Sequence, residues 1–259
     1  MLMNSDNFNK LLIEANWYDY LSKYFKYWNI QSSLYFSKNH QECINKLIQL
    51  STQNRSELNT GNLNVNTLPM VRVFHASPDS PAVDIYINNH PVFKNVTYKM
   101  LSNYLKVPAG EYKVEVYPTG TKDNALVNNL FKLSSGNVFT IAAVNELNKL
   151  SLLAIPDQIL VPSNEASVKF VHLSPDGPTV DVAVIGGDII FSNVSFGQIT
   201  NILNLSSMNL DLEVRLAGTK TKVLEINSVY FEPNTSYTIY AVGFTKDEPK
   251  LEALFFKNK

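Results

Sequence analysis

Through most of residues 70–257, hydrophobic and polar positions alternate with a period of two. Val83, Ile85 and Ile87 alternate with Asp84, Tyr86 and Asn88, and Tyr112, Val114 and Val116 repeat the pattern. Such alternation predicts half-buried β-strands. In the first half of this region strands are expected at 71–74, 83–88, 91–96, 98–107, 112–116, 126–133, 138–144 and 150–155. Between them stand the turn formers Pro78, Asp79 and Pro81, Pro108-Ala109-Gly110 and Pro118-Thr119-Gly120. Short strands with turn signals about every 8–12 residues and no helical period predict an antiparallel β-sandwich.

Only the start of the chain departs from this pattern. Phe8, Leu11, Leu12, Ala15, Tyr18, Leu21 and Phe25 recur at three and four, the stripe of an amphipathic helix over residues 7–28. Ser5 and Asp6 offer caps, and a break is expected near Asn29. A second helix should begin after Ser32 or Ser33 and reach Thr52, with Leu34, Cys43, Ile44, Leu47 and Ile48 facing inward. Together the two make an antiparallel helical hairpin. Trp17, Tyr20, Tyr24, Tyr27 and Trp28 surround more than one face of it, more aromatic surface than a hairpin can hide by itself. These five are the expected assembly interface, since Tyr and Trp are favoured interface anchors. A sugar platform and a membrane-surface face are the other uses such aromatics could have.

The β region is written twice. Residues 71–88 (VRVFHASPDSPAVDIYIN) lie over residues 168–185 (VKFVHLSPDGPTVDVAVI) at an offset of 97, sharing His75/His172, Ser77/Ser174, Pro78/Pro175, Asp79/Asp176 and Asp84/Asp181 among others. At an offset of 98, Gly120-Thr121-Lys122 then meets Gly218-Thr219-Lys220. A self-match of this extent is a tandem duplication. The expected fold class is therefore mainly β, with two tandem immunoglobulin-like or transthyretin-like sandwiches preceded by an α-helical hairpin. The expected division is a hairpin over 1–53, an Asn/Ser/Thr-rich and mobile linker over 54–68, and repeats over 69–160 and 165–259. The segment from Pro156 to Asn164 is short and partly apolar, so the repeats should touch. Each has its own strands and turns, so each is also expected to fold alone.

Composition narrows the function. The 259 residues carry 22 basic and 23 acidic side chains, a net charge of −1, which argues against nucleic acid as a partner. The single cysteine, Cys43, forbids an intrachain disulfide and reads as a small buried hydrophobe. No stretch is apolar enough for a membrane span, and the first ten residues lack the marks of a secretory leader.

The His-x-Ser-Pro-Asp-x-Pro-x-Val-Asp signature, followed by the Pro-Gly and Thr-Gly-Thr elements, resembles the bacterial domain of unknown function 4397 family. The resemblance implies tandem immunoglobulin-like or transthyretin-like sandwiches of surface and secreted proteins. The stretch NWYDYLSKYFKYWN resembles N-terminal extensions on such domains in endospore-forming Firmicutes.

His75, Ser77 and Asp84, and again His172, Ser174 and Asp181, contain the residue types of a hydrolase triad. All three lie within ten residues beside a Pro-rich turn, and no oxyanion-hole loop accompanies them. The structural reading is simpler. Asp79 would accept local amides, Ser77 would cap the bend, and Asp84 would accept from His75 or a loop amide. Asp79 with Asp84, or Asp176 with Asp181, supplies too few oxygens for calcium, and the four histidines and one cysteine lack zinc spacing. His75, Ser77, Pro78, Asp79 and Asp84, with His172, Ser174, Pro175, Asp176 and Asp181, are thus expected to form a structural motif with no cofactor and no metal. The expected function is a non-enzymatic structural or assembly protein of a bacterial surface, whose partners are itself and other coat proteins. Surface modules without an export signal point to a spore coat or appendage, made in the mother-cell cytoplasm, with a cytoplasmic location as the alternative. An adhesin-like module binding glycan or a host surface is the alternative, and a hydrolase comes third.

Overall fold

The computed structural model describes residues 5–27, 29–53 and 68–258. Trp28 and residues 54–67 of the linker expected over 54–68 lie outside them. Helix α1 (Ser5–Phe25) and helix α2 (Ile30–Gln53) pair as a hairpin. Ser5 and Asp6 lie within α1, and α2 starts two residues before the expected caps; Asn29 caps its first turn by accepting from Ser32 N at 3.1 Å. The buried stripe of α2 is also different from expectation. Phe36, Cys43 and Leu47 are buried, at a spacing of seven and four, whereas Leu34 and Ile48 are 58% and 54% exposed. Phe36 stacks on Phe25 at 5.5 Å, and that contact rotates Leu34 outward.

Each repeat is an eight-stranded sandwich. The first holds β1 (Met70–His75), β2 (Val83–Ile87), β3 (His90–Val96), β4 (Leu105–Lys106), β5 (Gly110–Pro118), β6 (Val127–Leu133), β7 (Val138–Val144) and β8 (Ser151–Pro156). The second holds β9 (Glu165–His172), β10 (Val180–Val184), β11 (Ile189–Val194), β12 (Leu203–Ser206), β13 (Met208–Leu216), β14 (Lys222–Phe231), β15 (Thr235–Val242) and β16 (Glu252–Asn258). One sheet of the first repeat runs β4-β1-β7-β8 and the other β3-β2-β5-β6; the second repeat copies both as β12-β9-β15-β16 and β11-β10-β13-β14. All pairs are antiparallel except β1 with β7 and β9 with β15. The strand expected over 98–107 shrinks to the two residues of β4. Here the chain crosses between sheets with Lys99 left-handed (φ 69), and its groups bond irregularly along β1 through Lys99 N to His75 O and Ser102 N to Val73 O.

The central strands explain how the repeats sit together. In β1, Val71 and Val73 face the core of the first repeat, and Phe74 faces the other way. In β9, Val168 and Phe170 face the second core, and Val171 faces out. The outward side chains meet. Phe74, Ala76, Ala142, Val144 and Ile155 of one repeat form a single buried cluster with Val171, Leu173, Tyr240 and Val242 of the other. The rings of Phe74 and Tyr240 lie 4.8 Å apart, with Phe256 within 6 Å of both. The molecule is therefore a four-layer stack of sheets, and the repeats touch as expected. Strands buried on both faces read as nearly continuous apolar runs, as Ile141-Ala142-Ala143-Val144 does.

A polar rivet crosses the same seam. Asp157, just after β8, accepts from Lys169 Nζ at 3.0 Å and from Tyr104 Oη at 2.7 Å, lies 3.4 Å from Arg72 Nη2, and also accepts from the Thr140 hydroxyl. Arg72 further donates to Asn258 Oδ1 at 2.6 Å and lies over the Tyr104 ring at 4.4 Å. Arg72 and Lys169 occupy equivalent places in β1 and β9, and the Asp157 side chain is fully buried beside them. Burial pushes the Lys169 ammonium below its ordinary value, against the pull of Asp157.

The hairpin packs on the first repeat. Leu21, Phe25 and Phe36 join its core, and Trp17, Tyr18, Tyr20 and Tyr24 pack against it. Trp17 stacks on Tyr112 with ring centres 5.3 Å apart. Three of the five residues expected to face a neighbour (Trp17, Tyr20 and Tyr24) are thus engaged within the chain. Tyr27 is 87% exposed.

Candidate functional site

The duplicated signature forms the loop after β1, and again after β9. His75 Nε2 donates to the Pro81 carbonyl at 3.1 Å, and His172 Nε2 to the Pro178 carbonyl at 3.0 Å. Each ring is thereby fixed as the Nε2–H tautomer, and each Nδ1 is buried without a hydrogen bond. Ser77 Oγ donates to the Asn145 carbonyl at 2.6 Å and lies 2.6 Å from Ser80 Oγ. Neither serine is hydrogen-bonded to its histidine. Ser80 is replaced by Gly177 in the second copy, where a Cβ would come within 2.6 Å of His172 Cε1.

The aspartates act over longer distances than expected. Asp79 accepts from Leu147 N at 2.8 Å, across 68 residues, rather than from its own turn. Asp176 accepts from Thr245 N at 2.8 Å, Thr245 Oγ1 at 2.7 Å and Lys246 N at 3.2 Å. Burial raises the Asp176 pKa, but these hydrogen bonds outweigh it and hold the carboxyl below its ordinary value. Asp84 joins two turns, accepting from Asn95 N (2.8 Å), Thr119 Oγ1 (3.2 Å) and Gly120 N (3.2 Å); Asp181 does the same for Asn193 N (2.7 Å) and Gly218 N (2.8 Å). The joined residues Asn95, Gly120, Asn193 and Gly218 are all left-handed. This is why the Val-Asp and Thr-Gly-Thr elements occur together: the carboxylate holds the amide of the turn glycine. Asp84→Ala and Asp181→Ala should each cost about 1–3 kcal/mol, measured as urea unfolding free energy; no change would show that the amides find water instead.

Asp79 and Asp84 bond to different loops and do not converge. Among the described residues no three His, Cys, Asp or Glu side chains form a metal-holding group.

Burial lowers the pKa of His75, His172 and His90, the last helped by nearby Lys122. A depressed imidazole pKa means that the unfolded chain binds more protons in mild acid. Stability from these three is then complete above about pH 6.5, the free imidazole value, and is lost as pH falls toward the folded values. Urea midpoints should fall between pH 7.5 and 5.5, before most carboxylates titrate; a flat profile would contradict the neutral, buried rings.

The other candidate is a groove of about 560 Å³ where α1 meets the first sandwich, lined by Glu14, Trp17, Tyr18, His90, Glu111 and Tyr112 among others. His90, at the β2–β3 turn, sits between Tyr18 Oη (3.0 Å from Nε2) and Tyr35 Oη (2.6 Å from Nδ1). One phenol donates to the bare ring nitrogen and the other accepts from the N–H. Burial pushes the Tyr18 phenol up to about 12. Glu14 and Glu111 approach from two elements, and among the described residues no lysine or arginine lines the groove. Of these residues, only the aromatics of α1 stood out in the sequence. The rest are brought together by the docking of a helix, which no local spacing announces.

The family model described as a domain of unknown function (DUF4397) matches residues 69–183 and 166–259, which covers both sandwiches. The chain belongs to the DUF4397 family. No curated protein matches it. Among solved structures it is similar to the C-terminal domain of AlgF from P. aeruginosa, with 18% identity, a TM-score of 0.30, and 37% of this chain and 99% of that one covered. It is also similar to the family CBM26 module of Eubacterium rectale Amy13K in complex with maltoheptaose, with 12% identity, a TM-score of 0.25, and coverage of 73% and 97%. The Bacillus anthracis TIE protein gives 12% identity and a TM-score of 0.23 over 72% of this chain and 34% of that one. Likenesses this distant carry no argument about activity. In this DUF4397 chain, the signature residues of both copies hydrogen-bond to the loops and strand ends around them. No helix among the described residues is long and apolar enough to cross a membrane.

Proposed function

We propose that this DUF4397 protein is a non-enzymatic structural module of a bacterial surface, acting through contacts with its own copies and with other surface proteins. The observation that supports it most is the use made of the signature. In both copies the histidine N–H is bound by a proline carbonyl, and the serine hydroxyls bond within the surrounding loops instead of to the imidazole. A nucleophile needs its base within hydrogen-bond reach, and these pairs are engaged elsewhere. Self-association would use what the hairpin still exposes, namely Tyr27, Ile30 and Leu34 at its bend. The spore surface is the proposed location, and immunolabelling of intact spores tests it.

Light scattering over a concentration series tests the assembly reading. The wild type should associate, and a Tyr27→Ser/Leu34→Ser variant should remain monomeric. Ester or peptide hydrolysis lost in Ser77→Ala with stability unchanged would overturn the non-enzymatic reading.

The groove supports a second reading, an adhesin-like module for glycans. Aromatic rings beside Glu14 and Glu111 offer sugar C–H faces a stacking surface and their hydroxyls two acceptors. Glycan binding that is lost in Glu111→Gln would favour it.

A further inference from the structure

The duplication allows the two repeats to be compared position by position at the end where the hairpin sits. In the first repeat that end is formed by Ile87, Val107, Tyr112 and Phe131, and α1 closes it with Trp17, while Leu21 and Phe25, at i+4 and i+8, enter the same core. Ile87, Val107 and Tyr112 are buried as a result. The strand registers place Val184, Leu205, Leu210 and Val229 at the same positions of the second repeat. No helix among the described residues covers them there, and all four are only partly buried against the second core.

The uncovered end is also more apolar than the covered one. Where the first repeat has Asn88, Gly110 and Lys132, the second has Ile185, Met208 and Tyr230, which are 39%, 40% and 52% exposed. An end open only to water gains nothing from replacing Asn, Gly and Lys by Ile, Met and Tyr. Large apolar side chains left exposed around an open sandwich end, Met208 on its inner rim and Ile185 and Tyr230 on the outer face beside it, are of the kind that interaction sites use.

We propose that this end of the second repeat is a docking site for an amphipathic helix of a partner protein, one that presents large apolar or aromatic side chains at i, i+4 and i+8. The first repeat shows the occupant that the shape takes. The chain's own hairpin is not that occupant, because it is held at home by the Trp17–Tyr112 stack and by Tyr18 and Tyr35 on His90. The second repeat has Leu210 in place of Tyr112, so its contact would be apolar and exchangeable. The proposal rests on the non-enzymatic reading above and names the chemistry of one partner.

A labelled peptide of residues 5–27 serves as the probe, titrated into the full-length protein by fluorescence anisotropy. Saturable one-to-one binding is expected. It should weaken about tenfold or more in Ile185→Glu, in Tyr230→Glu and in Leu210→Glu, and likewise when the peptide carries Trp17→Ala and Leu21→Ala. The first two protein variants change exposed positions, so they remain informative if Leu210→Glu misfolds. Absence of saturable binding overturns the proposal. Binding unchanged in all three variants also overturns it, because the peptide would then be exchanging into the first repeat. If the variants instead dissolve a dimer of the protein alone and the peptide does not bind, the occupant is a second copy and the partner-helix proposal falls. Since neither hydrolysis nor light scattering of the hairpin variants depends on this end, its failure leaves the wider reading to its own tests.

Discussion

Replacing Asp157 by alanine is expected to destabilise the protein by about 3–5 kcal/mol, the usual cost of breaking a buried ion pair from one side. Arg72 and Lys169 are each 3% exposed and share this one carboxylate, so its removal leaves two buried cations without a counter-charge. Tyr104 and Thr140 lose an acceptor at the same time. Replacing the whole set by apolar residues of similar volume should restore much of the loss, because the attraction of such a cluster does little more than offset its own desolvation. Urea unfolding of Asp157→Ala beside an Arg72→Met/Asp157→Leu/Lys169→Met triple variant separates the two effects. A loss in the single variant no larger than that of an exposed pair, about 1 kcal/mol or less, would mean that water reaches the seam.

Cutting the chain between the repeats should do greater harm. Residues 68–160 and 161–258, prepared apart, would each expose half of the shared cluster, including Phe74 and Ile155 on one piece and Val171, Leu173 and Tyr240 on the other. Each large apolar side chain moved into water costs roughly 1.5–3 kcal/mol, and several move together. The separate pieces should therefore give poorly dispersed NMR spectra or aggregate, and mixing them should recover the native spectrum. Two well-dispersed pieces that ignore each other would instead bear out the expectation of independent folding. That expectation came from the completeness of each strand set, which says whether a sandwich can close but not whether its outer face stays dry.

Periodicity carried most of the fold because a strand buried on one face must alternate, and Val83–Ile87 and Tyr112–Val116 do. The places where it misled have a common cause. Residues 98–107 have apolar members at strand-like intervals, yet they cross between sheets through a left-handed Lys99. Leu34 and Ile48 fit the helical stripe as well as Phe36 does, but only Phe36 meets Phe25. The signature was visible in the sequence as a repeated set of residues. Asp79 nevertheless finds its donor 68 residues away, beyond any local turn rule.

The sequence by itself determined the duplicated sandwich, the helical hairpin before it, and the residues that staple each loop. The elements follow from backbone geometry and local patterning, which nearby residue types dictate. The staples were visible as residue types but not as partners, since Asp79 and Asp84 bond 68 and 36 residues away. Tertiary structure decided which apolar faces meet: the hairpin on the first repeat, inner sheet against inner sheet across Phe74 and Tyr240, and, among the described residues, no helix on the end of the second repeat. Burial is non-directional, and every amphipathic face in the chain offers the same apolar chemistry. Only shape complementarity in the folded molecule selects among the possible pairings, and shape is a property of the assembled sheets rather than of any one segment.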